Sequence, residues 1–247
     1  RPSKLALRNL NMKRATAEKS PTDVAPPRRV LRIKGRASGD HVRNLAVDGW
    51  IDPVGGSWTF AGGVEQIDFC PELRASLPLG LGNETSRFGM LRAKGEAQFR
   101  IAYTAPSDAT SIGAFHFDVT GRVTDGRLED PRLTYPLTDV TGKFHCTTYD
   151  VSLTECTARH GPTLVRFDLH KTGYAPTGPL RLHCAAQRLT LDAKMLELLP
   201  PTWQTQWHNF LPSGEVDVDA SLTFDGQTWR PAVTLRSANV AFTFHTF

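Results

Sequence analysis

The chain has 247 residues, of which 40% are hydrophobic and 22% charged, a balance that excludes a disordered polypeptide. No stretch approaches the roughly 20 continuous apolar residues of a membrane-spanning helix. The net charge of +4 is spread along predicted strands instead of being concentrated on one face, so nucleic acid is not expected as a partner.

Apolar and polar residues alternate along most of the chain, which predicts strands because successive strand side chains point to opposite faces. The predicted strands, in chain order, are residues 4–12, 30–37, 45–51, 57–69, 92–103, 114–123, 140–148, 151–158, 163–170, 180–191, 214–224 and 231–247. A short helix is predicted at 71–77, and a helical segment at 193–210 is split by Pro200 and Pro201. The alternation changes phase near Gln187, which predicts a β-bulge.

Three internal echoes indicate a repeat. The first has a constant offset of 122 residues, from Phe69 to Leu191 and from Pro78 to Pro200. The matching segments are Ile67–Pro78 with Leu189–Pro200, Gly95-Glu96 with Gly214-Glu215, and Leu7–Met12 with Leu235–Val240. The repeated unit is therefore a strand, a Leu-Pro helix, a loop and two further strands.

The repeat predicts the organisation of the chain. Residues 1–29 form an edge strand with a polar, Pro-containing loop, residues 30–126 form a first β repeat, and residues 127–247 form a second. Because the chain starts at Arg1 without a methionine, we expect it to be a piece of a longer polypeptide.

The apolar side of so many strands must be covered by something. Two sheets can pack face to face and fill the space with their own side chains. Alternatively, an open, strongly curved sheet leaves a trough for hydrocarbon, since exposed apolar surface costs about 25 cal/mol per Å². Small residues on this face, such as Ala97, Gly121 and Gly142, favour a channel.

Motifs that carry catalysis are missing from the sequence. There is no G-x-S-x-G elbow, P-loop, H-E-x-x-H or Rossmann glycine pattern, so we predict neither an enzyme nor a catalytic residue, metal site or cofactor. The four cysteines include no C-x-x-C pair. Cys146 and Cys156 flank a predicted hairpin turn and are a candidate disulfide; the alternative is that all four are small buried hydrophobes.

Three segments together resemble one protein family. They are the run from Leu189 to the Leu199-Pro200 pair, Leu211–Val218 after an aromatic stretch, and Asn239–Phe242. With the strand–turn pattern of residues 126–142, they resemble the AsmA-like family of bacterial envelope proteins, whose relatives include TamB. The likeness covers most of residues 30–247. The chain departs from the family's pattern in having four cysteines and no membrane anchor.

The resemblance implies an elongated, strongly curved antiparallel sheet, a β-groove, with short Leu-Pro helices between repeats. It implies a protein of the periplasm or cell envelope, anchored in the inner membrane through another segment. Its groove would carry phospholipid toward the outer membrane, with acyl chains and envelope membrane proteins as partners. The alternative is a structural or adaptor β-domain that assists outer-membrane protein assembly and pairs through its sheet edges.

Two sets of site residues follow. The predicted gate, an aromatic helix with amphipathic spacing, comprises Trp203, Trp207 and Phe210. The predicted lipid-groove lining comprises Phe99, Ile101, Phe115, Phe117, Val165, Phe167, Val216, Val218, Leu222, Phe242 and Phe244.

Overall fold

The computed structural model describes residues 5–16, 29–75, 91–106, 112–129, 136–175, 177–191, 201–241 and 243. Their strands form one antiparallel sheet of twelve, in which hydrogen-bonded neighbours follow each other in sequence. The strands are β1 (Leu5–Thr16), β2 (Arg29–Gly39), β3 (Val42–Ile51), β4 (Trp58–Phe69), β5 (Leu91–Thr104), β6 (Ala114–Leu128), β7 (Leu137–Thr147), β8 (Asp150–His160), β9 (Thr163–Thr172), β10 (Leu180–Leu191), β11 (Ser213–Phe224) and β12 (Trp229–Ala241). The mainly β prediction and its twelve strands are confirmed.

Two helices lie at the same ends of the strands. Helix α1 (Pro71–Ala75) follows β4, and α2 (Pro201–Phe210) precedes β11; we call this side of the sheet the helix rim. Both begin with a proline, whose missing N–H costs nothing at the first helical position. The two Leu-Pro sequences lie outside the described residues, as does the predicted loop 78–89. No described helix is long and apolar enough to cross a membrane.

The opposite side of the sheet carries the turns between β3 and β4, β5 and β6, β7 and β8, β9 and β10, and β11 and β12; we call it the turn rim. The antiparallel register places apolar residues of adjacent strands opposite one another. Phe99 is opposite Val119, for example, while Gln98 is opposite Thr120. One face, the apolar face, therefore collects the hydrophobic side chains, and the other, the polar face, collects charged and hydroxyl side chains.

Where the alternation of apolar and polar residues changes phase, a bulge keeps the apolar residues on the same face. In β10, two residues between Ala186 and Leu189 oppose one residue of β11, and Arg188 has a φ of 54°. The bulge predicted near Gln187 is thus confirmed. Bulges of this kind bend a strand and increase its twist. They recur at equivalent places, as between Val64 and Ile67 of β4.

The bulge N–H groups are satisfied by carboxylates of the next strand. The N–H of Glu155 donates to Asp168 Oδ1 at 2.9 Å, and the N–H of Arg188 donates to Asp217 Oδ1 at 2.9 Å. The Arg188 side chain also bonds Glu215 at 3.0 Å. These bonds offset the conformational cost of a non-glycine residue at positive φ.

The repeat found in the sequence corresponds to strands six apart. β4 and β10 have equal lengths, and their bulges lie at the same 122-residue offset. The echo between β1 and β12 also coincides with a bulge, after Arg8 and before Asn239 respectively. The Gly-Glu match does not keep this offset. Gly95 pairs with Ile67, whose counterpart 122 residues later is Leu189, whereas Gly214 pairs with Leu191.

Glycines on the apolar face make room for neighbouring aromatic rings. A Cβ on Gly95 would meet Phe69 Cε2 at 2.7 Å, and one on Gly121 would meet Phe144 Cε1 at 2.7 Å. The rings of Phe69 and Phe144 meet edge to face, with centroids 6.3 Å apart. These glycine sites are therefore covered by rings, and the expectation that the small residue Gly121 opens a channel is wrong.

Adjacent glycines of β4 give a direct test of this packing. A Cβ on Gly62 would lie 2.8 Å from Phe99 Cζ and would also collide with the Ala46 carbonyl oxygen, whereas one on Gly63, on the polar face, has its nearest contact at 3.4 Å. We expect Gly62→Ala to lower the free energy of unfolding by about 1–3 kcal/mol. Gly63→Ala should change it by less than about 1 kcal/mol. Urea unfolding of both variants measures the difference, and equal effects would contradict the ring-on-glycine packing.

Candidate functional site

The apolar face collects nine of the eleven residues predicted to line the groove. They are Phe99 and Ile101 of β5, Phe115 and Phe117 of β6, Val165 and Phe167 of β9, and Val216, Val218 and Leu222 of β11. Phe242 and Phe244 lie outside the described residues. Whether these nine contact a ligand stays a prediction.

The nine residues fall into two groups that β7 and β8 connect. On the first side, Ile101 lies opposite Phe117, and Phe99 lies opposite Val119. The row that starts at Val119 continues through Cys146 of β7 and Val151 of β8. On the second side, Val165, Ala186 and Val218 stand in one row across β9, β10 and β11. Val151 is opposite Lys171 of β9, but Leu153 is opposite Leu169. The apolar residues are therefore continuous from β5 to β11 through Leu153.

Large side chains on this face are only partly removed from solvent. Phe117 and Phe167 are half-buried, and Phe115 is 48% exposed. The buried hydrophobic residues of the described part of the chain are mostly small: Ala37, Ile67, Ala93, Ala97, Cys156, Ala158, Ala186 and Val216. In a filled sandwich the aromatic rings would be the most buried residues. The described residues therefore do not form a tightly packed interior.

A chain of aromatic contacts runs along the turn-rim end of the apolar face. Ring centroids are 6.1 Å apart between Trp58 and Phe115, 6.1 Å between Phe115 and Phe117, and 6.0 Å between Phe117 and Tyr174. The Tyr174 hydroxyl, in the β9–β10 turn, donates to the Thr147 carbonyl at 2.6 Å. Burial, with Cys146 and Asp150 nearby, raises the pKa of Tyr174 to about 12. Tyr174 thus stays neutral and lies at the end of the apolar face beside Phe117.

The candidate disulfide between Cys146 and Cys156 is wrong, because the structure has free thiols at both positions. Cys146 pairs with Val151, whereas Cys156 lies against Gly142, four residues before Cys146 in β7. Four residues of a strand span about 13 Å, beyond the roughly 7 Å limit between bridged Cα atoms.

Three cysteines instead behave as apolar-face residues. Burial raises the pKa of the Cys146, Cys156 and Cys184 thiols, and a carboxylate near each raises it further. For Cys156 the pKa rises to about 11, with Asp168 as the second cause. At neutral pH these thiols are protonated, as expected of small hydrophobic side chains.

The predicted gate lies on helix α2 at the helix rim. The side chain of Trp203 is outside the described residues, Trp207 is half-buried, and Phe210 is 40% exposed. The N–H of Leu211 donates to the Trp207 carbonyl at 2.7 Å, and the N–H of Thr243 donates to the Phe210 carbonyl at 3.0 Å. The second bond connects the end of α2 to the chain just after β12. Gating stays a prediction.

The polar face carries several exposed ion pairs. Arg32 binds both carboxylate oxygens of Asp48, at 3.2 and 3.1 Å. Pairing with Arg32 lowers the pKa of Asp48. His183 lies 3.2 Å from Asp219. Exposed pairs of this kind contribute little to stability, so this face is the solvated side of the sheet.

Several residues of the apolar face were missed in the sequence. Trp58 and Phe60 belong to it, as do Phe144, Leu169 and Leu182. They pair directly with the predicted lining or alternate in step with it, as Leu169 does with Val165 and Phe167 in β9. Extending the alternation along the whole of each strand could have found them.

No known protein family, curated protein or solved structure matches this chain.

Thiol reactivity tests the placement of Cys156. Since only the thiolate is nucleophilic, a pKa of about 11 leaves roughly 100-fold less reactive form at pH 8 than the ordinary value of 9. We expect iodoacetamide to label Cys156 about 100-fold more slowly than it labels the same thiol in urea. Peptide mass spectrometry over time gives both rates, with Cys70, at the start of α1, as an internal comparison. Similar native and unfolded rates for Cys156 would place this thiol in solvent.

Proposed function

We propose that this chain is a segment of an AsmA-like envelope protein whose apolar face binds phospholipid acyl chains during transfer between the inner and outer membranes. The observation that carries the proposal is the continuous, half-exposed apolar face from β5 to β11. The motifs that resemble the AsmA-like family support the same conclusion. In this proposal the protein is a carrier and not an enzyme.

The apolar face suits hydrocarbon because its gain in free energy requires no specific partner groups. Burying one methylene group contributes about 0.8 kcal/mol, and a strand of ten residues spans about 33 Å, enough for an acyl chain to lie along it. Phe117, Phe167 and Leu222 present half-exposed carbon surface without an adjacent charge on the same face. The opposite face, with pairs such as Arg32–Asp48, would face water.

The bulges support a curved sheet in this proposal. They occur in β1, β4, β6, β7, β8, β10 and β12, so that the bending is distributed along the sheet. A sheet bent toward its apolar face would form the β-groove that the family resemblance implies. The resemblance also implies a periplasmic location and an inner-membrane anchor elsewhere in the polypeptide.

The outer edge of β12 bears on the alternative of an adaptor that pairs through a sheet edge. Pro231 lacks an N–H, and Arg230 and Arg236 are exposed on the same strand. Proline and charged residues are features by which natural sheets discourage edge pairing. This edge therefore gives the adaptor alternative less support than the apolar face gives the lipid proposal.

The decisive experiment compares Phe117→Glu with His116→Glu, its neighbour on the opposite face. We expect native mass spectrometry of the protein purified from bacterial membranes to show bound phospholipid for the unaltered chain and for His116→Glu. Phe117→Glu should lose at least about tenfold in lipid occupancy, since a carboxylate on the apolar face must be desolvated when an acyl chain binds. Val218→Asp, in the second group of the face, should do the same.

Circular dichroism and urea unfolding of the same variants separate the alternatives. If Phe117→Glu and Val218→Asp unfold the protein at a cost of several kcal/mol, the face is a closed core and the adaptor is favoured. An unaltered protein that never carries lipid, with no uptake of spin-labelled phospholipid, would overturn the proposal.

A further inference from the structure

The structure describes five turns of the turn rim, wholly or in part. Each of them has a large exposed apolar side chain within it or next to it. Val54 and Ile112 are each 95% exposed, Tyr149 is 65% exposed and Trp229 is 52% exposed. Tyr174 completes the series in the β9–β10 turn. By contrast, the two fully described tight turns of the helix rim contain Asp40-His41 and Gly161-Pro162.

Three of these turns are held rigid by the same kind of bond. Oδ1 of Asp52 accepts the N–H groups of Val54 at 3.0 Å and Gly55 at 2.8 Å. The hydroxyl of Thr147 likewise accepts the N–H of Tyr149 at 3.1 Å. In the last turn, Asp225 accepts the N–H groups of residues 227 and 228. The apolar side chains are thus presented by ordered turns, with the turn-forming carboxylates occupied by backbone donors.

The spacing of these side chains fits a bilayer surface better than a protein partner. Successive turns are two strands apart, or about 10 Å, so the five turns extend over about 40 Å. A protein partner would need a contiguous packed patch. A lipid interface instead accepts apolar side chains one by one, and it favours the rings of Tyr and Trp, which are apolar with one polar end.

We propose that the turn rim inserts Val54, Ile112, Tyr149 and Trp229 into the interfacial region of a lipid bilayer. The aromatic chain from Trp58 through Phe117 to Tyr174 connects the β9–β10 turn of this rim to the apolar face. The inference goes beyond the proposed acyl-chain binding and does not require it, since insertion of the rim depends on the turns alone.

Vesicle flotation tests the inference with the triple variant Val54→Ser, Ile112→Ser and Tyr149→Ser. These neutral changes remove apolar surface without adding charge. We expect the unaltered chain to float with phosphatidylcholine vesicles, and the triple variant to lose at least about tenfold in partition coefficient, because interfacial binding scales with the apolar area inserted. The control variant Gln98→Ser, Thr120→Ser and Thr234→Ser, with three exposed polar-face positions changed, should float like the unaltered chain.

Either of two results would overturn the inference: no flotation of the unaltered chain, or equal flotation of the triple variant and the unaltered chain. The first would leave the rim as a surface for another kind of partner. Val218→Asp, in the middle of β11 and away from the turns, keeps the two proposals distinguishable, since it should float normally while carrying less co-purified phospholipid. A variant that loses bound lipid but floats normally therefore tests the apolar face. A variant that floats poorly but keeps its bound lipid tests the turn rim.

Discussion

The fold depends on holding twelve strands in one register so that a single face collects the apolar side chains. The ladder bonds are satisfied between neighbouring strands, but they do not by themselves decide which side chains face together. A shift of one residue would move the apolar set of a strand to the polar face. Each bulge makes that shift where the sequence requires it, as between Ala186 and Leu189.

The lateral contacts along the apolar face replace the interior of an ordinary globular domain. Rings lean along the sheet onto neighbouring strands, as Phe144 does over Gly121, instead of interlocking with a second layer. Phe69 and Phe144 come from strands three positions apart and meet between them. The glycines are therefore part of the packing, since a side chain at Gly121 would displace the ring that shields the sheet.

The strands could be predicted from the sequence because their alternation is long and regular. The bulge near Gln187 was predictable for the same reason, as Leu182 and Leu189 have opposite parity with no proline or glycine between them. Bulges such as that at Glu155 are harder to recognise, since its carboxylate acceptor, Asp168, comes from another strand. The Cys146–Cys156 pairing failed because it depended on register, which spacing along the chain does not determine.

From the sequence, the candidate site could be predicted only as a set of residues on one face of the sheet. One-sided alternation placed Phe117 and Val218 on the same side of the sheet before any pairing was known. It could not show that the rings lie over glycines, because that arrangement depends on which residues are cross-strand neighbours. It also could not reveal the turn rim, whose apolar residues belong to five separate turns and share no periodicity.

The ring-on-glycine packing also bears on what the apolar face could bind. The rings of Phe69 and Phe99 lie over Gly95 and Gly62 and fill the space that side chains there would occupy. The thiols on this face add no charge at neutral pH, since burial raises the pKa of Cys146 and Cys184. Between β5 and β11 few charged side chains lie on this face, Lys171 of β9 being one, so the face offers little charge with which to distinguish one partner from another. Such a surface discriminates by apolar length and area, which is the property that the proposed acyl-chain ligands share.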